Sequence, residues 1–148
     1  MHCYLRGLNH KTAPAALRDK LSLTPDASRR VLSELSAAGV PEAVVLATCN
    51  RTEFYVAGAS PERLAAVVQR VVRDIFPGSA DIPDKCWYDA GYGDAVQHLL
   101  RVAAGLDSMV LGEPEILGQV RAAWELALQA GSTGLFFNEG DYSAPGLR

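Results

Sequence analysis

Two apolar runs, EAVVLAT at 42–48 and TEFYVAG at 52–58, are separated by only Cys49, Asn50 and Arg51. Each run has the length and the β-branched and aromatic content of a strand. A parallel crossover needs a dozen or more connecting residues, so three residues can only close an antiparallel hairpin. A thiol, an amide and a guanidinium therefore stand together at a hairpin tip, with Glu53 following. Any fold for this chain has to accommodate that tip.

The rest of the chain arranges around it. HCYLRGLNH reads as a first strand ended by Asn9, and APAALRDKL as a short helix. TPDASRRVLSELSAAG carries full helix punctuation: Thr24 as N-cap, Pro25 at the first turn and Gly39 just past the end. SPERLAAVVQRVVRDIF repeats this logic with Ser60 and Pro61, and Pro77-Gly78 stops it. DKCWYDA follows as a strand, then DAVQHLLRVAAGL and PEILGQVRAAWELALQA as helices. The order is β-α-β-β-α-β. It implies the α+β class and a ferredoxin-like αβ sandwich, a four-stranded antiparallel sheet under helices on one face, with C-terminal helices added. One domain is expected over 1–134. The stretch 135–148, GLFFNEGDYSAPGLR after its leading glycine, loses helical periodicity and reads as an irregular, disordered tail.

With 148 residues, 49% hydrophobic and 21% charged, the chain is an ordinary globular one. The net charge of −3 carries no overall nucleic-acid signal. It is unevenly spread: the first thirty residues hold six basic and two acidic side chains, +4 against −7 for the remainder. Arg18, Lys20, Arg29 and Arg30 in that portion are either phosphate contacts or a solvated helix face. No apolar run reaches membrane-spanning length and MHCYLRGLNHKT lacks a signal-peptide core, so a cytoplasmic protein with no membrane partner is expected. Cys3, Cys49 and Cys86 are odd in number and widely spaced, which argues against a disulfide framework and against a metal site.

Three features bear on chemistry. Cys49 at a strand's C-terminal end is a packed small hydrophobe, a redox accident or a nucleophile; the local pattern leaves all three open. An ordinary thiol is only a few per cent thiolate at neutral pH, so a nucleophile here needs help. Asn50, which tolerates a left-handed turn, and Arg51, which offers positive charge near the sulfur, would supply part of it. His98 lies with Asp94 and Arg101 on a polar stripe apart from Val96, Leu99, Leu100, Ala103 and Leu106, which suits either a second activating group or a plain surface histidine. GLDSMVLGEPEILGQV places Asp107, Ser108 and Glu113 in a loop ahead of a helix that shows Glu115 and Gln119 on one face. That grouping fits a grip for a charged small substrate, or merely a capped core helix. GYGDAV at 91–96 lacks the third glycine and the following acid-ended strand of a dinucleotide fold.

GLNHKTAP, TCNRTEFY, HLLRVAAGLDSMVLGEPEILGQV and AGSTG stand in the order and spacing of one family. Through them the chain resembles the N-terminal catalytic domain of glutamyl-tRNA reductase, from about Leu5 to Gly134. The resemblance implies a cysteine that attacks the ester of glutamyl-tRNA to give an enzyme thioester, which hydride from NADPH reduces to glutamate-1-semialdehyde, the precursor of 5-aminolevulinate in tetrapyrrole synthesis. It implies Cys49 as nucleophile and His98 as a histidine important for activity. It implies Thr48, Cys49, Asn50, Arg51, Ser108, Glu113, Pro114, Glu115 and Gln119 as the glutamyl-binding set. The family usually has Gln at the position of Glu115; a carboxylate cannot donate the amide's hydrogen bond, though it can pair with a substrate ammonium. Family members continue into an NADPH-binding domain and a dimerisation domain, so glutamyl-tRNA is the implied partner here, together with the next enzyme, glutamate-1-semialdehyde aminomutase. The full-length family is homodimeric, whereas this chain is expected to be monomeric and to hold no NADPH site. It would be a truncated or frameshifted copy, an excised piece or a domain that stands alone. Non-catalytic binding of glutamyl-tRNA or of a pathway partner, or an inactive remnant, are the alternatives to acyl transfer.

Overall fold

The computed structural model describes residues 1–21, 23–106 and 115–139. Four strands form one sheet: β1 (His2–Asn9), β2 (Glu42–Ala47), β3 (Arg51–Gly58) and β4 (Tyr88–Ala90), in the order β2-β3-β1-β4 with every pair antiparallel. The helices are α1 (Ala15–Arg18), α2 (Pro25–Ala37), α3 (Pro61–Ile75), α4 (Tyr92–Ala103), α5 (Glu115–Gln129) and α6 (Leu135–Glu139). This is the β-α-β-β-α-β order of the ferredoxin-like sandwich, followed by the C-terminal helices.

The helix signals act as expected. The Thr24 hydroxyl accepts from the Ala27 amide, and Ser60 Oγ from the Arg63 amide. Past α2, Gly39 takes φ +90, so that the Gly39 and Val40 amides reach back to the Ser36 and Leu35 carbonyls. Asn9 ends β1 by accepting from the Lys11 and Thr12 amides on its side-chain oxygen.

Helices cover both faces of the sheet rather than one. All eight residues of β3 are buried, which a sheet open on one side does not allow. The register puts Phe54 with Val45 and Arg6 on the α2–α3 side, and Tyr55 with Val44 and Leu5 on the other. That second face is covered by the C-terminal helices: Val44 lines one cavity with Leu99 of α4, Val120 and Trp124 of α5, and Phe137.

Two further differences are local. Cys86 lies in a 3-10 turn, Asp84–Cys86, and not in a strand, because Pro83 fixes the backbone ahead of it and the edge strand begins only at Tyr88. The stretch read as irregular from 135 onward opens with the helical turn α6, and Phe136 is buried.

The reason for that turn is Glu42. Its buried carboxylate accepts from the backbone amides of Gly134 (2.6 Å), Phe136 (3.1 Å) and Phe137 (3.0 Å). A Cβ at position 134 would stand 3.1 Å from the Glu42 carboxyl carbon, so the close approach suits glycine. Ser132 completes the seam, exchanging backbone and hydroxyl bonds with Ala43. Replacing Glu42 with Ala leaves three amides without this acceptor, and the expected loss is about 2–3 kcal/mol. Urea unfolding of the two proteins, with faster amide exchange at residues 134–137 of the variant, measures it.

Candidate active site

The hairpin tip is closed by Thr48. Its hydroxyl accepts from the amides of Asn50 (3.1 Å) and Arg51 (3.2 Å), and its own amide donates to the Arg51 carbonyl (2.9 Å). Asn50 therefore does not adopt the left-handed conformation its type allows; no described residue other than glycine has a positive φ. The Asn50 carbonyl in turn accepts from the His10 amide at 2.9 Å, which ties the tip to the turn after β1. Cys49 is exposed at the apex, whereas Cys3 and Cys86 are buried. Burial, with Glu42 nearby, pushes the Cys3 thiol up to about 12.

A small cavity of about 60 Å³ opens beside this apex, lined by Thr48, Cys49, Asn50, Arg51, Glu115, Ile116 and Gln119. Six of the nine residues in the expected glutamyl-binding set thus meet around one space, although α5 lies more than sixty positions along the chain. Ser108, Glu113 and Pro114 lie outside the described residues.

His98 does not line this cavity. It bonds through Nε2 to Glu53. Of the polar stripe of α4 only His98 turns toward the sheet, between the buried Ala95 and Val102; Asp94 and Arg101 are exposed, and so is Leu100, at 56%. Val96 is buried and Leu99 packs against the core as its spacing predicts, but Leu100 and Leu106 are exposed and Ala95 and Val102 take the closest packing.

Glu53 is fully buried and receives donors on both oxygens. Tyr55 OH donates to Oε1 at 2.8 Å; Tyr88 OH (2.6 Å), Arg51 Nη1 (3.3 Å) and His98 Nε2 meet at Oε2. Burial alone would raise the carboxyl, but the bonds from His98 and Tyr88 and the charges of His98 and Arg51 bring it below its ordinary 4.5. With the folded value depressed, the stabilisation is complete above the unfolded value and fades as pH falls through the folded one. Tyr55 shifts the other way: burial and the adjacent Glu53 charge push its phenol well above the usual 10. The guanidinium that was expected to serve the thiol is thus partly committed to a carboxylate two residues on. Gly7 makes room for this: a Cβ there would sit 2.8 Å from Glu53 Cγ, 3.0 Å from the Thr52 carbonyl oxygen and 3.0 Å from Tyr88 Cε2.

Tyr88 and the hub role of Glu53 are what sequence reasoning missed. A glutamate in a strand otherwise apolar, with a tyrosine two positions on, was the available signal.

The Glutamyl-tRNAGlu reductase N-terminal domain model matches residues 7–140. The chain belongs to this family. It is 46% identical over 129 residues to a glutamyl-tRNA reductase of Nitrosococcus oceani, covering 86% of this chain and 30% of that one. A relative of the same name from Marinobacter nauticus is 44% identical over 133 residues, covering 89% and 30%. Among solved structures, glutamyl-tRNA reductase from Methanopyrus kandleri superposes with a TM-score of 0.71 at 31% identity, over 89% of this chain and 29% of that chain. The chain thus spans about a third of the length of its glutamyl-tRNA reductase relatives.

The exposure pattern gives an order of thiol reactivity. Cys49 should alkylate with iodoacetamide at neutral pH at least about tenfold faster than Cys3 or Cys86 in the native protein. Mass mapping of labelled peptides against time reads it, and the order should collapse in denaturant.

Proposed function

We propose that this chain carries the acyl-transfer half of glutamyl-tRNA reduction, with Cys49 as nucleophile and glutamyl-tRNA as substrate. The observation that carries the reading is the convergence, in a member of this family, of the one exposed cysteine with Thr48, Asn50, Arg51, Glu115 and Gln119 around one cavity.

The step is a thiol–ester exchange. The Cys49 sulfur adds to the glutamyl carbonyl carbon and a C–S bond forms. The C–O bond to the terminal ribose breaks, and the ribose oxygen takes a proton, releasing tRNA. Arg51 offers a charge-assisted donor for a carboxylate of the glutamyl group. The Gln119 and Asn50 amides can both donate and accept, and Glu115 can pair with the substrate ammonium. Ser108, Glu113 and Pro114 join the binding set in this reading. His98 takes part through Glu53, since its Nε2 is engaged there.

Reduction of the thioester calls for NADPH, and the described residues do not fit a dinucleotide. Their sheet is antiparallel throughout, and Gly91 and Gly93 open α4 after a three-residue edge strand instead of a parallel βαβ crossover. In this reading the hydride step falls to the longer protein of this family, and glutamate-1-semialdehyde aminomutase, which takes up the product, stays a candidate partner. For the tRNA backbone, the N-terminal basic groups are modest candidates. Arg29 is paired with Asp26 (2.9 Å), Arg30 with Glu34 (3.5 Å) and Lys20 with Asp81 (3.8 Å), and Arg18 donates to the Ala13 carbonyl. A phosphate would have to compete with these partners.

Without hydride the thioester's ready fate is attack by water. The chain should release glutamate from radiolabelled glutamyl-tRNA slowly, at a rate unchanged by NADPH, and Cys49→Ser should return the rate to the uncatalysed background. Glutamate release at background rate by the unaltered chain would favour a binding module; semialdehyde formed by this chain alone would contradict the placing of the hydride site elsewhere.

A further inference from the structure

We propose that a cleft between α2, β2 and α5 seats the terminal nucleobase of the substrate, an adenine whose polar edge pairs with the open edge of β2. The inference rests on the reading of Cys49 as the acceptor of the glutamyl group.

β2 is an edge strand, and its register decides which backbone groups face outward. The Thr48 amide donates to the Arg51 carbonyl, so the even-numbered residues of β2 bond to β3 and the odd-numbered ones point away from it. Ala43 shows the pattern: its amide donates to the Ser132 carbonyl at 2.7 Å, and its carbonyl accepts from Ser132 Oγ at 2.9 Å. Val45 and Ala47 point the same way, and among the described residues their amides and carbonyls have no partner. The Val45 carbonyl and the Ala47 amide thus stand side by side on that edge, an acceptor next to a donor.

A cavity of about 280 Å³ lies there, lined by Val45, Ala47, Ser28 of α2 and the small side chains Ala122 and Ala123 of α5. Ser28 is only 4% exposed, and among the described residues its hydroxyl has no hydrogen-bond partner. A buried hydroxyl without a protein partner, on a wall that is otherwise mostly apolar, calls for a ligand that brings one.

Two observations choose the occupant. This cavity adjoins the one beside Cys49: Gln119 lines both, and Ala47 of the first directly precedes Thr48 of the second. In glutamyl-tRNA the acyl group and the terminal adenine hang on one ribose, so a glutamyl group at Cys49 brings the base to a neighbouring space. The open edge is also short, since Ser132 already occupies Ala43. Strand addition by an extended peptide needs more than two residues to pair with, whereas one flat ring does not. Adenine offers an amino donor beside a ring-nitrogen acceptor, the complement of the Val45 carbonyl and the Ala47 amide. A further ring nitrogen remains for the Ser28 hydroxyl.

Three small esters that share a ribose leaving group separate the possibilities: glutamyl-adenosine, glutamyl-inosine and the glutamyl ester of methyl riboside, which has no base. The readout is the rate of glutamyl transfer to Cys49, followed by mass. In the unaltered chain the adenosine ester should react at least about tenfold faster than the riboside ester. It should also outpace the inosine ester, whose edge reverses donor and acceptor, by at least about threefold. Ala122→Leu, at an exposed helix position, narrows the cleft without disturbing the core. It should bring the adenosine ester down to the riboside rate and leave the riboside rate within about twofold. Equal rates for the adenosine and inosine esters overturn the pairing with β2. No preference for adenosine over riboside in the unaltered chain, or one that survives Ala122→Leu, overturns the subsite and leaves acyl transfer to Cys49 standing. No transfer from any of the three esters overturns the acyl-transfer reading, and the subsite with it.

Discussion

A carboxylate with no exposed surface stands at the centre of this domain. Glu53 sits in one of the two strands that pair on both sides, and an uncompensated charge there would cost several kcal/mol. Its compensation dictates much else. Tyr55 must share its face, and Tyr88 must reach it from the far edge strand. Gly7 must lack a side chain, and α4 must turn His98 inward. Residues drawn from β1, β3, β4 and α4 are thereby committed to a single geometry. Arg51, the last partner, connects that geometry to the hairpin tip.

The tip owes its shape to a second, smaller device. Thr48 satisfies two amides with one hydroxyl, so the chain turns without a glycine and without a left-handed residue. Cys49 is left at the apex with its side chain in solvent, while the flanking residues are anchored on either side. An exposed thiol on a rigid turn between buried strands is a good place for a nucleophile, because the surroundings pay little to keep it in position. Glu42 plays the corresponding part at the other end of β2, fastening the segment after α5 to the sheet.

Much of this was legible in the sequence. The hairpin, the capped helices α2 and α3 and the strand order follow from period, caps and turn lengths. The thiol, its neighbours and the distant Glu115 and Gln119 were singled out through the family motifs. What escaped was what only the third dimension supplies. The second covered face depends on helices whose apolar residues do not say which sheet face they seek. The position of His98 depends on packing by Ala95 and Val102, residues too small to dominate a hydrophobic pattern. Tyr88 belongs to the network through a register across β1, and nothing local to it announces that. The helical turn after Gly134 depends on a glutamate more than ninety positions earlier.

The central claim is that Cys49 accepts the glutamyl group. Brief incubation of the chain with glutamyl-tRNA, an acid quench and mass analysis of the peptides tests it most directly. The account predicts one glutamyl mass on the peptide holding Cys49, labile to hydroxylamine and absent from Cys49→Ser. A glutamyl adduct on another residue, or turnover of glutamyl-tRNA that persists in Cys49→Ser, would contradict it.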